Sequence, residues 1–212
     1  MNLQASSANF ANLTSSGTLT GQHYKQSSYT LTPSGAALFV DAAAANDDGA
    51  EPQTGIRPQE VMVMGENTQA YVLDKLSLNT STLNISGGDV TLIVKGDFEM
   101  LGGNPTINVA SGSSLMILVQ GKTALGSNGS IQVGDAGAAA NQNKPPVSIY
   151  SSNNSETGVA ISGAFRGGYA AIYAPYTHVD IGAGGSLSGA VRGRRYRSPV
   201  AAACTTTNRW MR

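Results

Sequence analysis

Residues 89–101 read DVTLIVKGDFEML and residues 114–126 read SLMILVQGKTALG, the same pattern twenty-five positions on. Val90 matches Leu115, Leu92 matches Ile117 and Val94 matches Val119; Gly96 then matches Gly121 and Met100 matches Leu125. Just downstream, Thr106-Ile107-Asn108-Val109 corresponds to Ser130-Ile131-Gln132-Val133 at a spacing of twenty-four. Further on, Ile161 leads to Ala171-Ile172-Tyr173 as Ile181 leads to Gly189-Ala190-Val191, at spacings of nineteen to twenty. A period of this length, made of short aliphatic strands and glycine turns, is that of one coil in a stack of parallel strands about 4.8 Å apart. Residues two apart share a strand face, so Val90, Leu92 and Val94 are expected to lie inside on Leu115, Ile117 and Val119. The corners call for glycine, which takes positive φ without strain. A β-sandwich with similar strands is the alternative, but the match runs through strand, turn and next strand. Segment 134–146 breaks the period and reads as a loop.

The fold expected is therefore all-β: a single-stack parallel β-solenoid, or β-helix, over residues 61–193. Residues 1–60 are expected to form an N-terminal cap and loop region containing one short helix. Ser34-Gly35-Ala36-Ala37-Leu38-Phe39-Val40-Asp41 and the four alanines after it favour that helix over 34–45. Residues 194–212 are expected to be an irregular tail.

Composition agrees with many short strands. Only 12% of residues are charged and 26 are glycine, yet the aliphatic runs separate the chain from disordered sequences. The formal net charge is zero, which gives no general pull toward nucleic acid or an anionic membrane. Cys204 is the single cysteine, so no internal disulfide is possible. No apolar run is long enough to span a bilayer as a helix. The opening MNLQASSANFANL has neither the basic nor the apolar region of an export signal. If the protein is exported, the signal is expected to lie outside this chain.

The stretch 161–193, ISGAFRGGYAAIYAPYTHVDIGAGGSLSGAVRG, carries Ala171-Ile172-Tyr173-Ala174-Pro175, Val179-Asp180-Ile181 and Gly189-Ala190-Val191-Arg192-Gly193. It resembles a poorly characterised domain of bacterial surface proteins found at the C-terminus of PilX-type pilus-assembly proteins. The likeness extends over about residues 70–193, with Ala170 where that family favours Gly and Tyr176 where it favours Asn. It implies a pilus-associated setting. The family continues into a further strand and a His-Tyr-Asp-Glu segment, whereas this chain ends YRSPVAAACTTTNRWMR. Read from the third base of each codon, Cys204 to Arg212 permit Val-His-Tyr-Asp-Glu-Ser-Leu-Asp-Ala. The tail after Arg195 therefore reads as a shifted frame of a last coil, leaving strand 186–193 as an open edge.

Chemistry-bearing residues are sparse. Arg192, Arg194, Arg195, Arg197, Arg209 and Arg212, with Tyr196 and Trp210 between them, form a basic cluster. A solvated tail explains it better than a nucleic-acid site, because no basic stripe elsewhere supports one. His23 and His178 are far apart, and with one cysteine they offer no zinc-type spacing; His178 reads as a surface residue at a corner. Asp89, Asp97 and Glu99 are the densest acids. Asp97 and Glu99 fall opposite Lys122 and Ala124 one coil on, so an Asp97–Lys122 contact is expected rather than a stacked carboxylate site. Gly-rich segments lack the residues of a phosphate loop. No catalytic residue, cofactor-binding residue, metal ligand or cofactor is assigned.

These readings point to a non-enzymatic structural or adhesive module on the surface of a bacterium or outside it. Its partners are expected to be other surface or pilus proteins or surface glycans, without nucleic acid or membrane insertion, and with self-association through open solenoid edges. The alternatives are a carbohydrate-binding or carbohydrate-degrading β-helix, and a bactofilin-like polymerising scaffold. Ile93, Met116 and Leu118 would face outward from the first coils. Such an apolar patch needs a cover, expected from helix 34–45 through Leu38 and Phe39 or from a partner.

Overall fold

The structure, a computed structural model, describes residues 17–20, 28–33, 57–79, 81–126, 128–134, 145–162, 165–197 and 203–205. Regular structure among them is all strand. β1 (Gly17–Thr20) and β2 (Ser28–Leu31) precede a hairpin of β3 (Gln59–Val63) and β4 (Glu66–Leu78). There follow β5 (Thr82–Ile85), β6 (Asp89–Val94), β7 (Phe98–Met100), β8 (Thr106–Val109), β9 (Ser114–Val119), β10 (Thr123–Leu125) and β11 (Ser130–Val133). The chain closes with β12 (Val147–Ser151), β13 (Thr157–Ile161), β14 (Arg166–Ile181), β15 (Ser186–Arg197) and β16 (Ala203–Thr205).

The spacing in the sequence sets the pairing. β6 lies parallel to β9 with Val90 opposite Leu115, Leu92 opposite Ile117 and Val94 opposite Val119. β8 lies parallel to β11 with Ile107 opposite Ile131 and Val109 opposite Val133. The spacing of nineteen to twenty recurs as Ile161 opposite Ile181 and Ile172 opposite Val191. Alternation then puts every second residue into one core, where Leu92, Ile117, Ile149 and Ile172 line up with Phe98, Met100, Ile107, Ile131 and Ile161.

The architecture differs from the open solenoid, or β-helix, that the repeat suggested. The strand path β12-β9-β6-β4-β7-β10-β13-β14 closes on itself through the pairing of β12 with β14, giving a closed parallel barrel of eight strands. Two long strands close it. β4 pairs through residues 70–73 with β6 and through residues 76–78 with β7. β14 pairs through 171–173 with β12 and through 178–181 with β13. Each belongs to two strand runs at once, so those runs have no free ends. A third run, β2-β5-β8-β11, joins the sheet at Ser130 opposite Arg166. The interior is filled by side chains, as in other small barrels.

The N-terminal cap also needs correction. No helix is found among the described residues, and the regular structure described before residue 61 is strand. β1 lies parallel to β4 and β2 parallel to β5, so the Thr-Leu-Thr alternations serve as edge strands. Residues 34–45, with Leu38 and Phe39, lie outside the described residues. At the other end β15 continues to Arg197, and β16 pairs with its first three residues; residues 198–202 and 206–212 lie outside the described residues.

The outward apolar patch is covered, and the β3–β4 hairpin is the cover. Val61, Val63, Ala70, Val72, Ile93 and Leu118 form a second buried cluster, with Met64, Met116 and Tyr150 packed partly against it. The hairpin turns on Met64 and Gly65, both at positive φ (54° and 91°), as a tight two-residue turn requires. Turn glycines such as Gly87, Gly112 and Gly184 take the expected positive φ, but Gly96 and Gly121 work differently. Gly96 and Gly121 do not have positive φ; a Cβ on Gly121 would lie 2.3 Å from the Gly96 carbonyl carbon. They are glycine because backbone stacks on backbone there.

Strand β6 is thus buried on both faces. Leu92→Ala, on the inner core, and Ile93→Ala, under the hairpin, are each expected to cost about 2–5 kcal/mol in urea denaturation, as buried large-to-small changes do. An Ile93 variant as stable as the parent would mean that the hairpin does not cover this face in solution.

Tyr71 offers a pH test. It is 2% exposed and its hydroxyl donates to the Thr32 carbonyl at 2.7 Å, tying the end of β2 to β4. Burial raises its pKa above the usual 10.0. The neutral phenol is therefore favoured in the fold, and its contribution is complete below pH 10 and lost as pH rises beyond it. Tyr71→Phe is expected to lower stability by about 1 kcal/mol at neutral pH. It should also flatten the fall in stability above pH 10, measured by urea titration at successive pH values.

Candidate functional site

Asp89, Asp97 and Glu99 are occupied by structural contacts. Asp97 accepts a hydrogen bond from the backbone N–H of Lys122 at 2.7 Å, so its link to Lys122 is through the main chain. Glu99 faces outward opposite Ala124 and pairs instead with Lys75, 2.8 Å away. Asp89 accepts from the Ser114 hydroxyl on the neighbouring strand. These groups hold adjacent strands in register. No group of three or more metal-ligating side chains gathers among the described residues.

His178 is not a surface residue. It is 5% exposed in β14, and Arg194 donates to its Nε2 at 3.1 Å. Because a guanidinium has no acceptor to offer, the ring's proton is assigned to Nδ1. Beside it, Thr177 is fully buried. Its hydroxyl donates to the Ser155 carbonyl and accepts from the Gly158 N–H, both at 2.6 Å. Asn153 accepts from the Ser155 N–H at 2.9 Å and donates to the Gln120 carbonyl at 3.3 Å. This polar corner pins the 152–158 turn to β14. His23, Arg209, Trp210 and Arg212 lie outside the described residues, Cys204 is in β16, and Tyr196 and Arg197 end β15.

The outer face of β12, β14 and β15 is different in kind. In β14, Ala170, Ile172 and Ala174 enter the core, which turns Tyr169, Ala171 and Tyr173 outward. The register places Tyr169 beside Ser188, Ala171 beside Ala190 and Tyr173 beside Arg192. On the other side Ser148 lies beside Ala171 and Tyr150 beside Tyr173. Ala171 and Ala190 therefore make a floor of small side chains running across the strands, continued on β12 by Ser148, which is itself buried at 6% exposure. Tyr169 and Ser188 bound it on one side; Tyr150, Tyr173 and Arg192 bound it on the other. At the rise of an extended strand, the walls stand about 13 Å apart between backbones.

The walls are ordered by mutual contact. The Tyr150 and Tyr173 rings meet edge to face, with centroids 6.1 Å apart and planes at 62°. The Arg192 guanidinium lies 5.6 Å from the Tyr173 ring centroid, in range of a cation–π contact. Tyr169 is 49% exposed, a large ring left in solvent on a rigid strand. Gly189 (φ +150°) keeps the floor close, since a Cβ there would fall 2.0 Å from the Ala170 carbonyl oxygen. Tyr150, in one wall of the trough, also packs partly against the cluster under the hairpin.

Sequence reasoning placed no site here. The signal was the alternation of Tyr169, Ala171 and Tyr173 about core residues, which becomes informative only once the strand's inner face is known.

A family model described as a domain of unknown function, DUF7305, matches residues 23–203. No curated protein and no solved structure matches the chain.

Thr177 tests the polar corner. Thr177→Val keeps the shape but leaves the Ser155 carbonyl and the Gly158 N–H unpaired, and is expected to lower stability by about 2–4 kcal/mol. Amide hydrogen exchange should quicken first at Gly158 and His178. Unchanged stability and exchange would show that water replaces the hydroxyl.

Proposed function

The chain belongs to the DUF7305 family, and we propose from its own surface that it is a non-enzymatic adhesive module displayed on a bacterial cell. In this reading the barrel is a rigid, weakly charged support, and the trough across β12, β14 and β15 is the surface that engages a surface glycan. The observation that carries the reading is the trough itself: tyrosine rings flank a floor of alanines and a serine on a sheet held from within. Tyrosine is suited to such a role, because it offers a flat apolar face with a polar tip and orders only two torsions on binding. Small floor residues let a pyranose ring approach the backbone, and the half-buried Ser188 supplies a hydroxyl beside it.

The likeness of residues 161–193 to the C-terminal domain of PilX-type proteins favours a pilus-associated setting. That step is one of analogy, because a fold or domain can host several functions. The part of the trough from Tyr169 to Arg192 lies within the stretch that carries the likeness.

The test is a panel of immobilised oligosaccharides probed with the intact chain, followed by calorimetry on those retained. Tyr169→Ala and Tyr173→Ala are each expected to weaken binding about tenfold, corresponding to about 1.4 kcal/mol per lost stacking surface. Tyr169→Ala, being exposed, should leave the melting temperature unchanged. Retention of no oligosaccharide, or parent-like affinity in both variants, would refute the reading.

A further inference from the structure

We propose that the ligand of the trough is an anionic saccharide of the hexuronate class, its carboxylate held by Arg192 while its ring lies against the tyrosines. This rests on the glycan reading above and names the kind of glycan. Arg192 is exposed, and its described contact is with the Tyr173 ring. Among the described residues no carboxylate pairs with it. A guanidinium drawn to a ring face is positioned by it while its N–H groups remain able to take a carboxylate through two parallel hydrogen bonds.

The surroundings have the same sign. The trough's own residues, Ser148, Tyr150, Tyr169, Ala171, Tyr173, Ser188 and Ala190, include no acid. Arg194 and Arg195 follow on the same strand, Arg194 already engaged with His178 and Arg195 exposed. Arg195 is in register with His178, past the corner that separates it from the Tyr173–Arg192 pair, so Arg192 is the charged group among the trough's own residues. A neutral sugar would leave the Arg192 N–H edge to water. A hexuronate matches both parts of the site, ring to tyrosine and carboxylate to arginine.

The experiment compares tetragalacturonate, its fully methyl-esterified form and tetraglutamate by calorimetry on the intact chain. The acid saccharide is expected to bind about tenfold more tightly than its ester at low salt, a preference that shrinks as salt is raised. Arg192→Gln should abolish the preference without altering the melting temperature, and Arg192→Lys should restore part of it. If acid and ester bind equally and Tyr169→Ala weakens both, the carboxylate inference falls and the glycan reading stands. If Arg192→Gln retains the preference, the assignment to Arg192 falls. Tetraglutamate binding as tightly as tetragalacturonate would overturn the saccharide class in favour of an acidic peptide. If neither saccharide binds, this inference fails; the broader glycan reading then rests on the oligosaccharide panel.

Discussion

The parallel strands of this protein have no hairpins to fix their register, so each short strand depends on its neighbours for both backbone hydrogen bonds and alignment. β4 and β14 meet that demand by serving two strand runs each. β4 hands Tyr71 and Leu73 to the partners of β6 and, after the corner at Asp74-Lys75, hands Leu76 and Leu78 to β7. β14 does the same for β12 and β13 at the other end. Strands of three residues such as β7 and β10 could not persist alone. They are held because Phe98, Thr123 and Val159 sit in register between the long strands. The glycines at 96 and 121 belong to the same constraint, since the corners stack main chain on main chain.

Continuity of the sheet creates a second problem on its outside. β6 and β9 carry apolar residues on both faces, and the outer set would be exposed without the β3–β4 hairpin. Tyr150 packs partly against the cluster under the hairpin. Beyond it, β12, β14 and β15 present small residues between tyrosines, with an arginine stacked at the rim. One face is thus divided into a part under the hairpin, which stabilises, and a part that the hairpin does not cover. The division depends on the length of a single antiparallel hairpin in an otherwise parallel sheet.

The polar side chains follow a consistent pattern. Asp97, Asp89, Thr177 and Asn153 each bond to a backbone group or hydroxyl on another segment, so the scarce polar groups are spent on register and on turns. Asn84 and Asn108 add a side-chain bond of 3.1 Å between β5 and β8. Two buried acceptor atoms, the Asn108 Oδ1 and the Thr123 hydroxyl oxygen, have no described partner, a small penalty. Arg192 departs from this economy, holding its charge at the edge of the tyrosine trough.

Local pattern alone determined that this chain forms short parallel strands, which residues face inward, and which neighbour each one meets. Val90 to Val94 on Leu115 to Val119, and Ile107 on Ile131, were legible because side-chain alternation and a repeated spacing are properties of the chain itself. Closure was not legible. An open stack and a closed barrel share the same repeat, and what separates them is that β4 and β14 each pair on two sides, a fact about segments far apart in sequence. Nor did the sequence show that Val61 and Val63 would cover Ile93 and Leu118, because hydrophobicity states that a cover is needed and not which segment supplies it. The trough was hidden for the same reason. Tyr150, Tyr169, Tyr173 and Arg192 come from three strands up to forty-two positions apart, and only the tertiary register sets them side by side.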